Sequence, residues 1–290
     1  MKILTTLVFA LLFPFGITAQ VIQGNPVYAD NETKEIIEQL IESHGGWDKW
    51  ANAPSIRYDN VFYNTSPNAA QNPWWVSTEI IEQRGQKRND QRVFHEYHLG
   101  GIKGSFQMAH DGEKVWASEN WGIGNYPKFM TYFFYYFLNL PWLTQDDNVM
   151  LSSPEMATYN EQEVAKVTMT FKEDPAIGKV GKDSFVLYIS QETGKLVAYE
   201  YSMGFGAQLD IMGLPKSAET LGPVFRHIDE YVNVDGLYFP ARMHTTNMDQ
   251  SNTYGHHALL NYSIIDKFDQ MKVKMPSGAV VDESSSVRAD

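Results

Sequence analysis

The chain has no cysteine among its 290 residues. That absence excludes disulfide staples, thiol nucleophiles and the lipid-bearing N-terminal Cys of bacterial lipoproteins. Positive charge is also scarce: 23 Lys and Arg stand against 35 Asp and Glu, a net charge of −12. Such a surface disfavours nucleic acid and anionic lipid head groups, yet leaves the binding of acyl chains open, because that is an apolar event. Beyond Phe15 no run of apolar residues reaches the roughly 20 needed to span a bilayer as a helix. The sequence also lacks a Gly-x-Ser-x-Gly elbow, a phosphate-cradling glycine loop and any visible repeat at solenoid or propeller spacing.

The start of the chain reads as a leader. Lys2 supplies a positive n-region, Ile3 to Phe15 an apolar core and Thr18-Ala19 a small-residue exit. This is the pattern of a secretory signal peptide cleaved after Ala19. Removing Lys2 takes the basic count from 23 to 22 and the net charge from −12 to −13. The expected organisation is a signal peptide over 1–19, a single domain over 20–270 and a C-terminal tail over 271–290. The small, polar residues from Ser277 onward are expected to fray. The expected location is the periplasm or the exterior.

What is present is a succession of strand–turn–strand units. Asp111-Gly112, Thr193-Gly194 and Asp235-Gly236 each lie between runs that alternate apolar and polar, and glycine supplies the positive φ that hairpin turns need. Strands are predicted over 55–64, 74–84, 87–98, 103–110, 113–119, 155–160, 163–172, 183–190, 195–203, 223–234, 237–246 and 255–268. A bulge is expected in the first, where Tyr58, Val61 and Tyr63 break the alternation. A helix is predicted from an Asn31 N-cap through the stripe Ile36, Ile37, Leu40 and Ile41 to a stop at Gly45-Gly46, with a helical turn at Trp47 to Trp50. Lys128 to Trp142, aromatic nearly all round and ending at Pro141, is expected to form one buried helix. Gly204 to Gly222 has no periodicity and reads as a loop over the mouth of the sheet. A flat sheet of about 11–12 strands is unfavourable, so it should curl or close. The fold class is therefore mainly β with helices: a curved antiparallel half-barrel with helices packed in its concave face.

Candidate chemistry is sparse. His95-Glu96-Tyr97-His98 is not a His-Glu-x-x-His motif, and on a strand residues three apart point to opposite faces. A metal site assembled across strands from His95, His98, His110 and His256, serving a hydrolase, is the alternative to ordinary hydrogen-bonded histidines. Glu79 with Glu82, Asp229 with Glu230, and Asp146 with Asp147 are too generic to mark an acid–base pair. No catalytic residue and no cofactor is expected. The aromatic load is more suggestive. Taken singly these rings read as core; taken together they suit an apolar cavity for a lipid, acyl chain or other hydrophobic ligand. The candidate lining residues are Trp74, Trp116, Phe129, Phe133, Phe137 and Trp142. Rings that stack on a sugar would serve a sugar-binding module equally well.

Four segments carry a resemblance: His44-Gly45-Gly46-Trp47-Asp48-Lys49-Trp50 closing the first helix, Ser55-Ile56-Arg57-Tyr58 in the first strand, His110-Asp111-Gly112-Glu113-Lys114-Val115-Trp116, and Val232-Asn233-Val234-Asp235-Gly236-Leu237-Tyr238-Phe239-Pro240. With them the chain resembles the periplasmic lipoprotein-carrier superfamily of Gram-negative bacteria, the LolA/LolB-like fold. It also resembles an uncharacterised group of exported bacterial proteins within or near that fold. The resemblance spans most of residues 30–268 and rests on turn and core signatures. It implies an unclosed half-barrel of roughly eleven strands, helices against the concave face, and a cavity for acyl chains of lipids or acylated proteins, without metal or catalysis. This chain is longer than the sorting proteins, by the aromatic helix near 128–142 and the 204–222 segment. Its motifs match no cavity arginine of the kind that acts there as a ligand switch.

Overall fold

The computed structural model describes residues 21–65, 74–82, 91–101, 104–119, 121 and 126–288. The expected signal peptide over 1–19, and the strand ends expected at 83–84 and 87–90, lie outside the described residues. The strands are β1 Val27–Tyr28, β2 Ser55–Asn64, β3 Trp74–Glu82, β4 Val93–Gly101, β5 Gly104–His110, β6 Val115–Ala117, β7 Val149–Leu151, β8 Glu155–Tyr159, β9 Gln162–Phe171, β10 Ser184–Ser190, β11 Leu196–Met203, β12 Leu221–Val234, β13 Leu237–Thr246, β14 Thr253–Ile264 and β15 Val280–Val281. The helices are α1 Asn31–Ser43, α2 Trp47–Ala51, α3 Pro127–Thr131, α4 Phe133–Leu143 and α5 Gly206–Ile211.

All described strands join one curved, unclosed sheet in the order β1-β7-β9-β10-β11-β12-β13-β14-β2-β3-β4-β5-β6-β15, with β8 beside β9. Every pairing is antiparallel except the short β1–β7 contact. The chain thus lays down β2 to β6, crosses through α3 and α4, lays down β7 to β14, and seals the two halves by pairing β14 with β2. The strands beyond the expected count are pieces such as β1, β7 and β15, too short for a period-two pattern to register.

Alternation along the strands separates two faces. Tyr58, Tyr199, Tyr201, Phe239 and Met243 point inward and share one core with Ile37, Leu40 and Ile41 of α1, Trp50 of α2 and most of α4. On the other face Ile80, Phe94, Ala109 and Trp116 are covered by Phe268 and Val273, while Val164, Ala198 and Phe225 are covered by Tyr159. Phe134, Tyr135, Tyr136, Phe137, Leu138, Leu140 and Trp142 are all buried. Aromatics are mediocre helix formers, so α4 is held by packing, at roughly 1.5–3 kcal/mol per fully buried large side chain. Trp142 stacks on Trp50 at 5.6 Å and donates its indole N–H to the Gly46 carbonyl at 3.1 Å; Trp50 donates to Asn139 Oδ1 at 2.7 Å.

Several expectations are corrected. The N-cap of α1 is Asp30, whose carboxylate accepts from the Thr33 N–H at 2.8 Å; an Asp one position earlier meets the first turn's free donors better than Asn31. The aromatic stretch is two helices, broken at Tyr132, because that ring turns inward to donate from its hydroxyl to the Gln91 carbonyl at 3.1 Å. Pro141 does not end α4, which runs on to Leu143 around the anchored Trp142. The bulge lies in β14 instead of β2. Between the pairs Leu260–Asp59 and Ser263–Arg57 it places two residues opposite Tyr58, with Asn261 at φ 53°, a conformation Asn tolerates. The Gly204 to Gly222 segment contains α5.

The tail from Ser277 to Arg288 is bound, not frayed. Val280 and Val281 pair with Ala117 and Trp116, and the Asp282 carboxylate accepts from the Lys128 backbone N–H at 2.7 Å, capping α3. Arg288 donates to the carbonyls of Leu214, Pro215 and Ala218 and to Asp210. Its polar composition signalled disorder, but its polar groups are spent on specific partners. Gly45 shows how tightly the first helix meets the sheet. Its φ is +107°, and a β-carbon there would lie 2.2 Å from the Gly236 carbonyl oxygen at the β12–β13 turn.

Candidate functional site

One pocket opens on the concave side, with a volume of ≈ 270 Å³. Its floor is a row of residues in register across four strands: Arg226 opposite Thr245, Thr245 opposite Gly255, and Gly255 opposite Asn64. The absence of a side chain at Gly255 makes room for Phe62, whose ring would lie 2.3 Å from a β-carbon there. Phe62 stacks on His257 at 4.3 Å and packs against Trp75. Phe129, Met130, Phe133 and Phe134 form the wall contributed by α3 and α4. Tyr201 and Met203 of β11, Leu221 and Val224 of β12, Gln208 and the exposed Met212 complete the lining.

The polar groups of the pocket are few and buried. Arg226 is 5% exposed, and its guanidinium carbon sits 4.2 Å from the centre of the Phe137 ring and 5.9 Å from that of Phe133. Among the described residues it pairs with no carboxylate, and its Nη1 has no hydrogen-bond partner; neither has Thr245 Oγ1. Burial lowers the Arg226 pKa, though a guanidinium keeps its charge in any protein environment. Burial also holds His257 well below the ordinary histidine value, with the Arg226 charge adding to the effect, so the imidazole stays neutral beside Asn60 Oδ1 at 3.2 Å.

Behind Phe129 and Phe133 lies a second buried cation, and it is fully accounted for. Lys179 Nζ donates to the Tyr201 hydroxyl at 2.5 Å and stands 3.7 Å from Asp183, whose carboxylate also accepts from Tyr201 and from the Gly204 N–H. The rings of Phe129, Phe133, Tyr136, Phe137 and Tyr201 surround the ammonium at 4.4–5.8 Å. Burial brings the Lys179 pKa down to about 8 against the opposing pull of Asp183.

The six residues singled out from the sequence divide. Phe129 and Phe133 line the pocket. Phe137 lies just beneath it, between Phe133, Tyr201 and Arg226. Trp142 belongs to the core stack with Trp50. Trp116 faces the opposite side of the sheet, where its N–H donates to the Val273 carbonyl at 2.8 Å. Trp74 is 45% exposed and pairs with Tyr63 on that same outer face. It alternates out of phase with Trp75, so of the Trp-Trp pair the second faces the pocket. Arg226 went unseen, although it holds the inward phase of β12 between Val224 and Ile228.

The four histidines are not brought together. His95 faces inward, with Nε2 3.1 Å from the Thr131 carbonyl and Nδ1 3.3 Å from Glu79 in geometry too poor for a hydrogen bond. Glu79 is itself bonded to Tyr58 and Ser77. His110 Nδ1 meets the Tyr132 hydroxyl at 3.0 Å. His98 bonds Thr78 on the outer face, and His256 stacks with His244 there. Among the described residues no three His, Asp or Glu side chains are grouped to hold a metal ion.

No protein-family model matches the chain, and no curated protein matches it by sequence. Solved structures do match in shape. A LolA superfamily protein from Nitrosomonas europaea is 10% identical, with 84% of this chain and 98% of that one covered at a TM-score of 0.51. A DUF1329 family protein from Desulfovibrio piger is also 10% identical, covering 84% and 97% at a TM-score of 0.43. The first carries the assignment, and it agrees with the open sheet and its inward helices: the chain has the LolA-like fold.

Proposed function

We propose that this chain is an exported binding or carrier protein whose concave pocket holds a lipid, an acyl chain or another hydrophobic molecule. One observation carries the reading: an apolar pocket, walled by Phe129, Met130, Phe133 and Phe134 and open at Met212, lies on the concave face of a LolA-like half-barrel. Its volume, ≈ 270 Å³, lies near the lower end of small-ligand sites, roughly 300–1,000 Å³. That favours one slender chain over a bulky multi-chain lipid. The leader features of residues 1–19 support export, with cleavage near Ala19.

The test is mass spectrometry of an organic extract from protein purified from the periplasm without detergent. A stoichiometric lipid or acylated species is expected. A clean extract, together with no binding of alkyl probes to the folded protein, overturns the reading.

A second reading rests on the outer face. The exposed Trp74 and Tyr63 rings, 4.4 Å apart, lie beside Asp229, Arg242 and His256. Aromatic rings bordered by polar groups suit a sugar. Quenching of tryptophan fluorescence by polysaccharide, lost in Trp74→Ala, would favour it.

A further inference from the structure

We infer that the pocket selects amphiphiles with one anionic head, and that the head binds inside the pocket at Arg226 and Thr245. This rests on the apolar-ligand reading above and names the chemistry of that ligand.

Among the described residues, the buried Arg226 guanidinium pairs with no carboxylate. A buried guanidinium is costly unless its N–H groups and its charge are matched. Arg226 is 5% exposed, it faces the pocket, and its Nη1 has no partner. The Phe137 and Phe133 rings stabilise one side of the cation but accept no conventional hydrogen bond from it. The nearby carboxylate is already engaged, since Asp183 serves Lys179, Tyr201 and the Gly204 N–H. His257 supplies no negative charge either, and the Arg226 cation helps to hold its imidazole neutral.

Directly across the ladder from Arg226, the Thr245 hydroxyl is also buried and unpartnered. Two adjacent donors without acceptors among the described residues, in a mainly apolar pocket, are the complement of a carboxylate or phosphate oxygen. Met203, Met212, Leu221 and Trp75 surround the remaining volume and suit an alkyl tail. The protein's overall charge of −12 makes a locally cationic floor a selective feature, since the bulk surface repels the same anion.

The experiment measures binding of decanoate, decyl phosphate and decanol below their aggregation limits, with acetate and inorganic phosphate as heads without tails. It uses the wild-type protein, Arg226→Met, Arg226→Lys and Thr245→Val. The wild type is expected to bind the two anionic chains about 10- to 100-fold more tightly than decanol, the worth of one charged hydrogen bond. The preference should vanish in Arg226→Met, persist in Arg226→Lys and fall several-fold in Thr245→Val. Acetate and phosphate alone should bind far more weakly than the chains, and the ratio of decanoate to decyl phosphate names the head. Replacing a buried ion by an apolar residue of similar length often leaves a fold intact. Should Arg226→Met misfold, the carbon-13 shift of carboxyl-labelled decanoate on wild type decides instead: the bound head must stay ionised below its free pKa.

Equal affinity for decanoate and decanol overturns the head-group assignment and leaves the apolar pocket standing. Tight binding of acetate or phosphate alone overturns the amphiphile. Failure of all three chains to bind overturns the carrier reading and this inference with it.

Discussion

Lowering the pH from 7.5 to 5 should destabilise this protein through histidines buried in neutral form. His44, His110 and His227 are each held down to about 4, in every case chiefly by burial. Unfolded, each takes up its proton near the ordinary 6.5. The unfolded chain therefore binds more protons between pH 6.5 and 4, and stability must fall as the pH drops through that window. It is fully present above 6.5 and levels off below 4. With those two pKa values, one such group costs about 2 kcal/mol at pH 5. Three give about 6 kcal/mol, comparable with the whole stability of many domains, and His257, also held neutral by burial, acts in the same direction. Asp183, whose pKa burial raises, acts in the opposite direction, and Lys179 at about 8 has finished its transition before the window opens. Urea unfolding at half-unit steps of pH, followed by tryptophan fluorescence, measures the slope. NMR of the imidazole protons assigns it, because these three rings, together with His257, should titrate below the ordinary histidine range. A stability that is flat or rising from pH 7 to pH 5 refutes the reasoning, as does titration of these rings near 6.5.

Two further outcomes follow from buried charge and from the tail. Lys179→Ala strips the cation from Asp183 and should cost about 3–5 kcal/mol in urea unfolding, whereas Lys182→Ala, whose partner Glu219 is exposed, should change little. Deleting residues 277–290 removes β15, the Asp282 cap on α3 and the Arg288 clasp around residues 210–218. The charged bond from Asp282 to the Lys128 N–H alone is worth about 1.5–3 kcal/mol, so the melting temperature should drop clearly; an unchanged melt would return the tail to the frayed state its composition suggests.

The long strands were legible because each carries its own record. Alternation marks which side chains are inward, and glycine turns mark the reversals, so β8 to β13 fall within a residue or two of where the pattern sets them, while β14 stops at Ile264, four residues short. Short strands such as β7 and β15 carry no such record, since two or three residues cannot display a period. The tail was misjudged for a related reason. Composition measures the capacity to bury apolar area, and this segment is held by polar contacts such as that of Asp282 with α3. The candidate pocket is partly legible: Phe129 and Phe133 fall on its wall because aromatic density survives any error in helix geometry. Trp74 and Trp116 fall on the outer face because density does not report phase, and on a strand one residue of phase is the whole difference between pocket and outer face. Arg226 has the inward phase of β12, but a single charged residue in an apolar pattern carries no mark that it faces a cavity.

The seam between β14 and β2 has a kinetic consequence. It joins residues as far apart as His257 and Asn60, 197 positions in sequence, so it cannot form until nearly all of the chain is available. Until then β2 offers a long open edge to any neighbouring chain, the arrangement most prone to intermolecular pairing. Closing so large a loop is entropically slow, as it is for other folds dominated by distant contacts. During synthesis, where a polypeptide emerges from its N-terminus, β2 to β6 would wait for their final partner. Refolding yield should therefore fall steeply with protein concentration, and a short peptide copying β14 should act as a dominant inhibitor of folding while leaving the finished protein untouched.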